Sequence, residues 1–283
     1  MEYPDVSASP NGQWVAAATG NQVFIFNLKT RSIQRQSQYL QKTIHKVGWS
    51  PDSKFFALTM YSNGTKVGDI VVENVAGNYT HTFSGYSKIT WSPDMSKIAI
   101  YDLTKRKIID TVSNQETSYP TGTRSEVWID NETMLMVPID IPEYCLVQKF
   151  NGLKLIEERK TKWISGKDIE PWFESANFTI LNKANRHEVV VEGRSGSSDG
   201  GHFITMLVNA KYCTAKLLME DRLLAVSPDQ KFCAISPTKW IGNYKRGGYR
   251  GGPLTIVEIA TGKKTVVTQP NVEIDGGCWV KSK

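Results

Sequence analysis

Apolar and polar residues alternate along this chain in short runs, and the runs come in pairs closed by tight turns. The pattern is clearest between Lys88 and Tyr101. Ile89 and Trp91 alternate with polar neighbours, Ser92-Pro93-Asp94 supplies turn chemistry with φ set by the proline, and Ile98 and Ile100 resume the alternation. That is a strand, a turn and a second strand. Near-copies occur at Ala8-Ser9-Pro10-Asn11-Gly12, Trp49-Ser50-Pro51-Asp52-Ser53 and Val226-Ser227-Pro228-Asp229-Gln230, with weaker ones at Trp128-Ile129-Asp130-Asn131 and Asn182-Lys183-Ala184-Asn185-Arg186. Ser9, Ser50 and Ser92 are spaced by 41 and 42 residues. A repeat of about forty residues with two-residue alternation reads as a four-stranded propeller blade rather than a helical solenoid.

Each turn is followed by two further strands. The first unit predicts strands at 13–18, 22–27 and 32–38, the second at 55–61, 68–73 and 79–83, and the third at 97–101, 107–112 and 116–119. The fourth predicts 134–139, 144–150 and 153–158, the last two joined by an Asn151-Gly152 hairpin turn. In the fifth, Trp172 competes for the strand-ending position, but placing it there would leave five strands before the next repeat, whereas 178–182, 187–193, 202–208 and 213–219 make four. The sixth predicts 223–226, 231–236, 254–259 and 264–268. No stretch has helical periodicity. The expectation is an all-β chain, one β-propeller domain over residues 1–283, with six blades and seven as the alternative. Residues 272–280, with Trp279 in the position of Trp49, read as a further inner strand that closes the ring by pairing with an end blade.

The W-S-P-D-x segments at Trp49–Ser53 and Trp91–Met95, with their variants at Ser9–Gly12 and Ser227–Gln230, resemble the WD40-like repeat of TolB and prolyl-oligopeptidase-type propellers. The resemblance implies a scaffold, a partner-docking ring or a substrate gate. No hydrolase domain accompanies it, so peptidase activity is not implied. The fourth and fifth units depart from the pattern, lacking the Ser-Pro-Asp turn.

Composition changes this picture little. Lys and Arg number 34 against 28 Asp and Glu, a net charge of +6 that leans toward anionic partners without implying nucleic acid. Met1-Glu2-Tyr3-Pro4 has no basic and apolar leader, and no window approaches about eighteen unbroken apolar residues, so neither a signal peptide nor a membrane span is expected and a cytoplasmic setting is favoured. Cys145, Cys213, Cys233 and Cys278 fall singly in apolar stretches, the pattern of buried free thiols. Asn-x-Thr triplets at Asn63, Asn78, Asn131 and Asn177 match chance in a chain this rich in Ser and Thr. His45, His81 and His187 sit in different units, and no metal site or cofactor is expected. Gly196-Ser197-Ser198-Asp199-Gly200, with His202 nearby, satisfies G-x-S-x-G but joins two strands of a hairpin, not a strand to a helix, so Ser198 is not expected to be a nucleophile. Trp49, Trp91 and Trp128 read as wedges between blades.

In an antiparallel blade the first and third turns lie at one end, and the second turn and the links between blades at the other. The long irregular segments, 159–176, 194–201 and 237–253, all belong to the second end and to blades four to six. Residues 237–253 carry four cations, three aromatics and no acid. Tyr, Trp and Arg combine large contact area with few torsions to freeze. The expected activity is therefore non-catalytic binding of a protein or peptide through Trp163, Trp172, Arg194, His202, Lys239, Trp240, Tyr244, Lys245, Arg246, Tyr249 and Arg250. One alternative is single-stranded nucleic-acid binding, because Arg246–Gly252 resembles an Arg-Gly-Gly segment. Another is a small-molecule or anion pocket over a central channel, with or without enzymatic chemistry, using His202, Lys245, Arg246 and Arg250.

Overall fold

A computed structural model describes residues 5–62, 68–102, 104–120, 123–138, 144–162, 173–181, 188–195, 202–219, 222–227, 231–236, 238–241, 248–251 and 253–267. The chain divides into two compact units, Met1–Gly122 and Thr123–Lys283. Among the described residues every regular element is a strand.

The first unit holds three four-stranded antiparallel meanders. They are β1 (Asp5–Ala8), β2 (Trp14–Thr19), β3 (Gln22–Asn27) and β4 (Ser32–Gln38); β5 (Lys42–Trp49), β6 (Phe55–Ser62), β7 (Gly68–Asn74) and β8 (Thr80–Ser84); and β9 (Lys88–Trp91), β10 (Lys97–Tyr101), β11 (Arg106–Asp110) and β12 (Glu116–Tyr119).

The Ser-Pro-Asp turn works the same way in each. Ser50 is fully buried; its Oγ donates to Asp52 Oδ1 at 2.7 Å and accepts from Phe55 N at 3.0 Å, while Asp52 Oδ1 also accepts from Lys54 N at 3.0 Å. In the third sheet Ser92 Oγ donates to Asp94 Oδ1 at 2.8 Å and accepts from Lys97 N at 2.8 Å. In the first, Ser9 Oγ donates to Asn11 Oδ1 at 2.8 Å and accepts from Trp14 N at 3.0 Å. The next residue is left-handed in all three: Gly12 at φ 69°, Ser53 at 63° and Met95 at 67°. This explains why the position after Asp or Asn varies in side chain but not in conformation.

Sheets bury both faces of their middle strands. Along β6, Phe56, Leu58 and Met60 pack with Ala16, Ile25 and Val47 of the first two sheets, while Ala57 packs with Ile70 and Ile100 toward the third. Full burial of each large side chain is worth roughly 1.5–3 kcal/mol. Three hydrogen bonds, each spanning 42 residues, tie the first sheet to the second: Val47 N to Asp5 Oδ2 at 2.6 Å, Trp49 Nε1 to Ser7 O at 3.0 Å and Asn11 N to Ser53 Oγ at 3.0 Å. Arg35 on β4 adds a 2.7 Å ion pair to Glu73 on β7, whose other carboxylate oxygen accepts from the Tyr39 hydroxyl at 2.6 Å.

The second unit repeats the plan with β13 (Thr123–Trp128), β14 (Thr133–Pro138), β15 (Tyr144–Asn151) and β16 (Lys154–Lys162); β17 (Phe173–Leu181), β18 (Glu188–Ser195), β19 (His202–Asn209) and β20 (Thr214–Met219); and β21 (Arg222–Val226), β22 (Phe232–Ser236), then β23 (Thr238–Ile241) and β24 (Gly248–Gly251) as a separate two-stranded sheet, before β25 (Thr255–Glu258) and β26 (Lys264–Val266). The run Val189-Val190-Val191 shows the stacking. Val189 and Val191 join Leu135, Val137 and Val147 of the fourth sheet, and Val190 joins Cys233, Ile235 and Val257 of the sixth. Trp128 is wholly buried against Phe150, ring centroids 5.6 Å apart, in keeping with a packing role. Where Ser-Pro-Asp is missing in the fourth sheet, Asp130 Oδ1 accepts from Glu132 N at 2.8 Å and Thr133 N at 2.7 Å, closing the turn by another route.

Two strands in this unit are longer than the sequence pattern predicts, and β25 and β26 fall short of the expected 254–259 and 264–268. β16 extends four residues past 158, and β17 begins at Phe173, five residues before 178. Residues 237–253, expected as an irregular loop, contain the β23–β24 ribbon. The expected closing strand at 272–280 lies outside the described residues.

Candidate binding surface

Each meander in the second unit places its second connection and its outgoing link at one end. The sixth sheet is the most elaborate there. β22 pairs with β25, and the chain between them makes the detour through β23 and β24. The ribbon register sets Lys239 opposite Arg250 and Trp240 opposite Tyr249. Because strand positions alternate between faces, the two cationic positions share one face and the two aromatic positions the other. Like charges at directly opposite positions are unfavourable for an isolated ribbon.

Arg194 and His202 stand on the fifth sheet, at the same end of their own meander. Arg194 lies opposite Ser175 on one side and Phe203 on the other, and His202 opposite Ser195. β18 and β19 are antiparallel there, so the six residues between them, which lie outside the described residues, connect two strands and not a strand to a helix. Trp163, Trp172, Tyr244, Lys245 and Arg246 lie outside the described residues. The structure thus brings six expected contact residues onto two antiparallel ladders, four of them as two cross-strand pairs.

The opposite end of the second unit carries a feature that sequence reasoning missed. An open cleft of about 540 Å³ lies between the fourth and fifth sheets, lined by the 130–133 turn, Lys149, Glu157, Arg159, Ala210 and Lys211. Three acids, Asp130, Glu132 and Glu157, meet three cations there, so the cleft has no excess of either sign. Its polar groups are also engaged with one another: Arg159 Nε lies 3.2 Å from Glu157 Oε1, and Arg159 Nη1 donates to Lys211 O at 3.3 Å. The only sequence signal was the Asp130-Asn131-Glu132 turn standing where Ser-Pro-Asp is missing.

Cys145 and Cys233 are buried, and burial pushes the Cys145 thiol well up and the Cys233 thiol to about 11, so both are protonated near neutrality; Cys213 is partly buried. His45 meets Tyr61 edge to face and His81 lies tilted against Phe83, with centroid separations of 5.7 and 4.4 Å. Among the described residues no three His, Cys, Asp or Glu side chains converge as a metal site would require. No helix there is long and apolar enough to cross a membrane.

No protein-family model matches this chain, and no curated protein matches it. Solved structures do. The β-propeller domain of Myceliophteria thermophila Cps50 (Swd1) aligns with TM-score 0.64 at 14% identity, covering 98% of this chain and 89% of that one. Kuenenia stuttgartiensis hydrazine synthase aligns with TM-score 0.58 at 13% identity, covering 90% and 76%. At such identities the likeness speaks for the fold. Together with the six four-stranded meanders among the described residues, it shows a β-propeller of four-stranded blades, as the repeat pattern predicts.

Proposed function

We propose that this propeller is a non-catalytic scaffold that docks a protein or peptide partner through the connecting ends of blades four to six. The observation that carries the reading is the β23–β24 ribbon, an excursion that the four-stranded blade does not need. It presents Trp240 and Tyr249 as one cross-strand pair and Lys239 and Arg250 as the other. Binding residues on a rigid scaffold concentrate in such insertions, and aromatic and Arg positions dominate contact energies. Arg194 and His202 belong to the same end of the neighbouring blade, and Trp163, Trp172, Tyr244, Lys245 and Arg246 join them by sequence position. The charge-balanced cleft at the other end offers no comparable bias toward a ligand. The Ser-Pro-Asp turns support descent from a TolB- or prolyl-oligopeptidase-type repeat, in which a propeller serves as platform or gate.

The test is quantitative affinity capture from native lysate with the wild-type chain, with Trp240→Ala/Tyr249→Ala and with Lys239→Glu/Arg250→Glu. Specific loss of captured proteins with both pairs, at unchanged melting temperature, is the expected result. An identical captured set for all three chains overturns the proposal.

A further inference from the structure

We infer that the outer edge of β8 pairs with β8 of a second copy of this chain, antiparallel and centred on Thr82. The inference concerns the first unit and does not depend on the docking role proposed above. β8 is the outermost strand of the second sheet, and among the described residues it pairs with β7 alone. Thr80, His81, Thr82 and Ser84 are exposed. The bonds from Asn74 N to Tyr79 O at 3.3 Å and from Gly85 N to Gly68 O at 3.0 Å fix the phase of the β7–β8 ladder. His81 and Phe83 therefore turn their backbone N–H and C=O groups to β7, and Thr80, Thr82 and Ser84 turn theirs outward. A row of outward backbone groups is a template for another strand.

The other outer strands carry features that discourage such pairing, and β8 does not. The ladders that hold β4, β16 and β20 each shift register. β12 contains Glu116 and β26 contains Lys264, and these strands run to only four and three residues. β8 is Thr80-His81-Thr82-Phe83-Ser84, five residues in unbroken register without Asp, Glu, Lys, Arg, Pro or Gly. Charges, prolines and bulges are the means by which edges are kept apart.

The symmetry of the strand selects its occupant. Turned end for end about Thr82, the sequence meets itself in matched pairs: Thr80 with Ser84, His81 with Phe83, and Thr82 with Thr82. Hydroxyl pairs and aromatic pairs are favourable across strands, and no like charges meet. The phase of the ladder agrees independently. This register sets the outward groups of Thr80, Thr82 and Ser84 against one another, whereas a slip of one residue would oppose them to groups already bonded to β7. His81 and Phe83 then occupy the non-hydrogen-bonded positions, where side chains come closest. Their centroids are 4.4 Å apart within one chain, so two copies gather four rings on one face. The contact is small beside the roughly 1,200–2,000 Å² of a stable complex, so the dimer is reversible.

The experiment is sedimentation velocity of the full chain over a concentration series, with residue-resolved amide exchange as a second readout. The wild-type chain should pass from monomer to dimer as concentration rises. The amides of Thr80, Thr82 and Ser84 should exchange freely in dilute solution and slow in concentrated solution. Thr82→Lys and Thr82→Glu each place like charges directly opposite one another in the homodimer. Each alone should weaken association by about tenfold or more, and an equimolar mixture of the two should restore it. Melting temperatures at the dilute end check that each variant folds, and the wild-type exchange readout stands without either. A wild-type chain that stays monomeric overturns the inference, as does open-ended growth beyond a dimer. So does protection of the three amides in the dilute chain, which would mean that the edge is covered from within. A dimer that neither variant weakens, or a mixture no tighter than either variant alone, places the contact elsewhere and overturns it too.

Discussion

The Trp49 indole Nε1 donates a 3.0 Å hydrogen bond to the Ser7 carbonyl, 42 residues earlier in the chain. The strand-ending tryptophan of one blade thereby reaches the inner strand of the preceding one, one repeat away. Trp49→Phe keeps the ring against Phe56, 5.8 Å between centroids, but removes the donor. The expected loss is about 1 kcal/mol, and up to roughly 3 if the Ser7 carbonyl finds no water. Urea unfolding checks this: the midpoint should fall while the slope stays constant.

Ser50 should matter more than its size suggests. Its buried hydroxyl accepts from Phe55 N and has one proton to share between Asp52 Oδ1 and Phe55 O. Ser50→Ala strands Phe55 N and frees the aspartate that caps the turn, at an expected cost of roughly 1–3 kcal/mol. Thermal unfolding should register this, and Ser50→Thr should not restore full stability because the added methyl has no room at a site with no exposed surface.

Arg31 offers the opposite sign. It is exposed and left-handed at φ 55° in the turn between β3 and β4. Arg31→Gly relieves strain of roughly 1–2 kcal/mol and gives back part of it as unfolded-chain entropy. A net gain of about 0.5–1 kcal/mol is expected in the same urea titration.

Tyr39 makes the first unit sensitive to alkali. Burial, followed by its hydrogen bond to the Glu73 carboxylate, raises its pKa far above the ordinary value of 10.0. The folded state therefore holds the phenolic proton at pH values where the unfolded chain has released it. Stability from this group is complete below about pH 10 and is lost progressively as the pH rises beyond that. Tyr39→Phe should lower stability at neutral pH by removing the bond and should flatten the alkaline limb of the stability profile. An unchanged alkaline slope would exclude Tyr39 as its source.

The parts legible in the sequence are those whose cause is local. Ser-Pro-Asp followed by an alternating strand encodes a turn held by its own side chains, which is why the repeat and the four-strand units emerge from pattern alone. Tertiary register is not local: nothing in Asp5 announces that its carboxylate will accept the Val47 amide at 2.6 Å. The ribbon was obscured for a different reason. Gly248-Tyr249-Arg250-Gly251 has one strand-favouring residue between glycines, so it reads as loop, and only pairing with Thr238–Ile241 makes it a strand. The long β16, Lys154–Lys162, was hidden by its run of charges on an exposed outer strand, where alternation of apolar residues is not required.

The docking surface is tested most directly by an exchange footprint of the partner-bound chain. Amide hydrogen exchange, measured with and without the captured partner, should slow within 238–241 and 248–251 and at the adjoining ends of β18 and β19. Protection confined to the turn end, around residues 130–133 and 210–213, would place the interface on the wrong side of these blades and contradict the proposal.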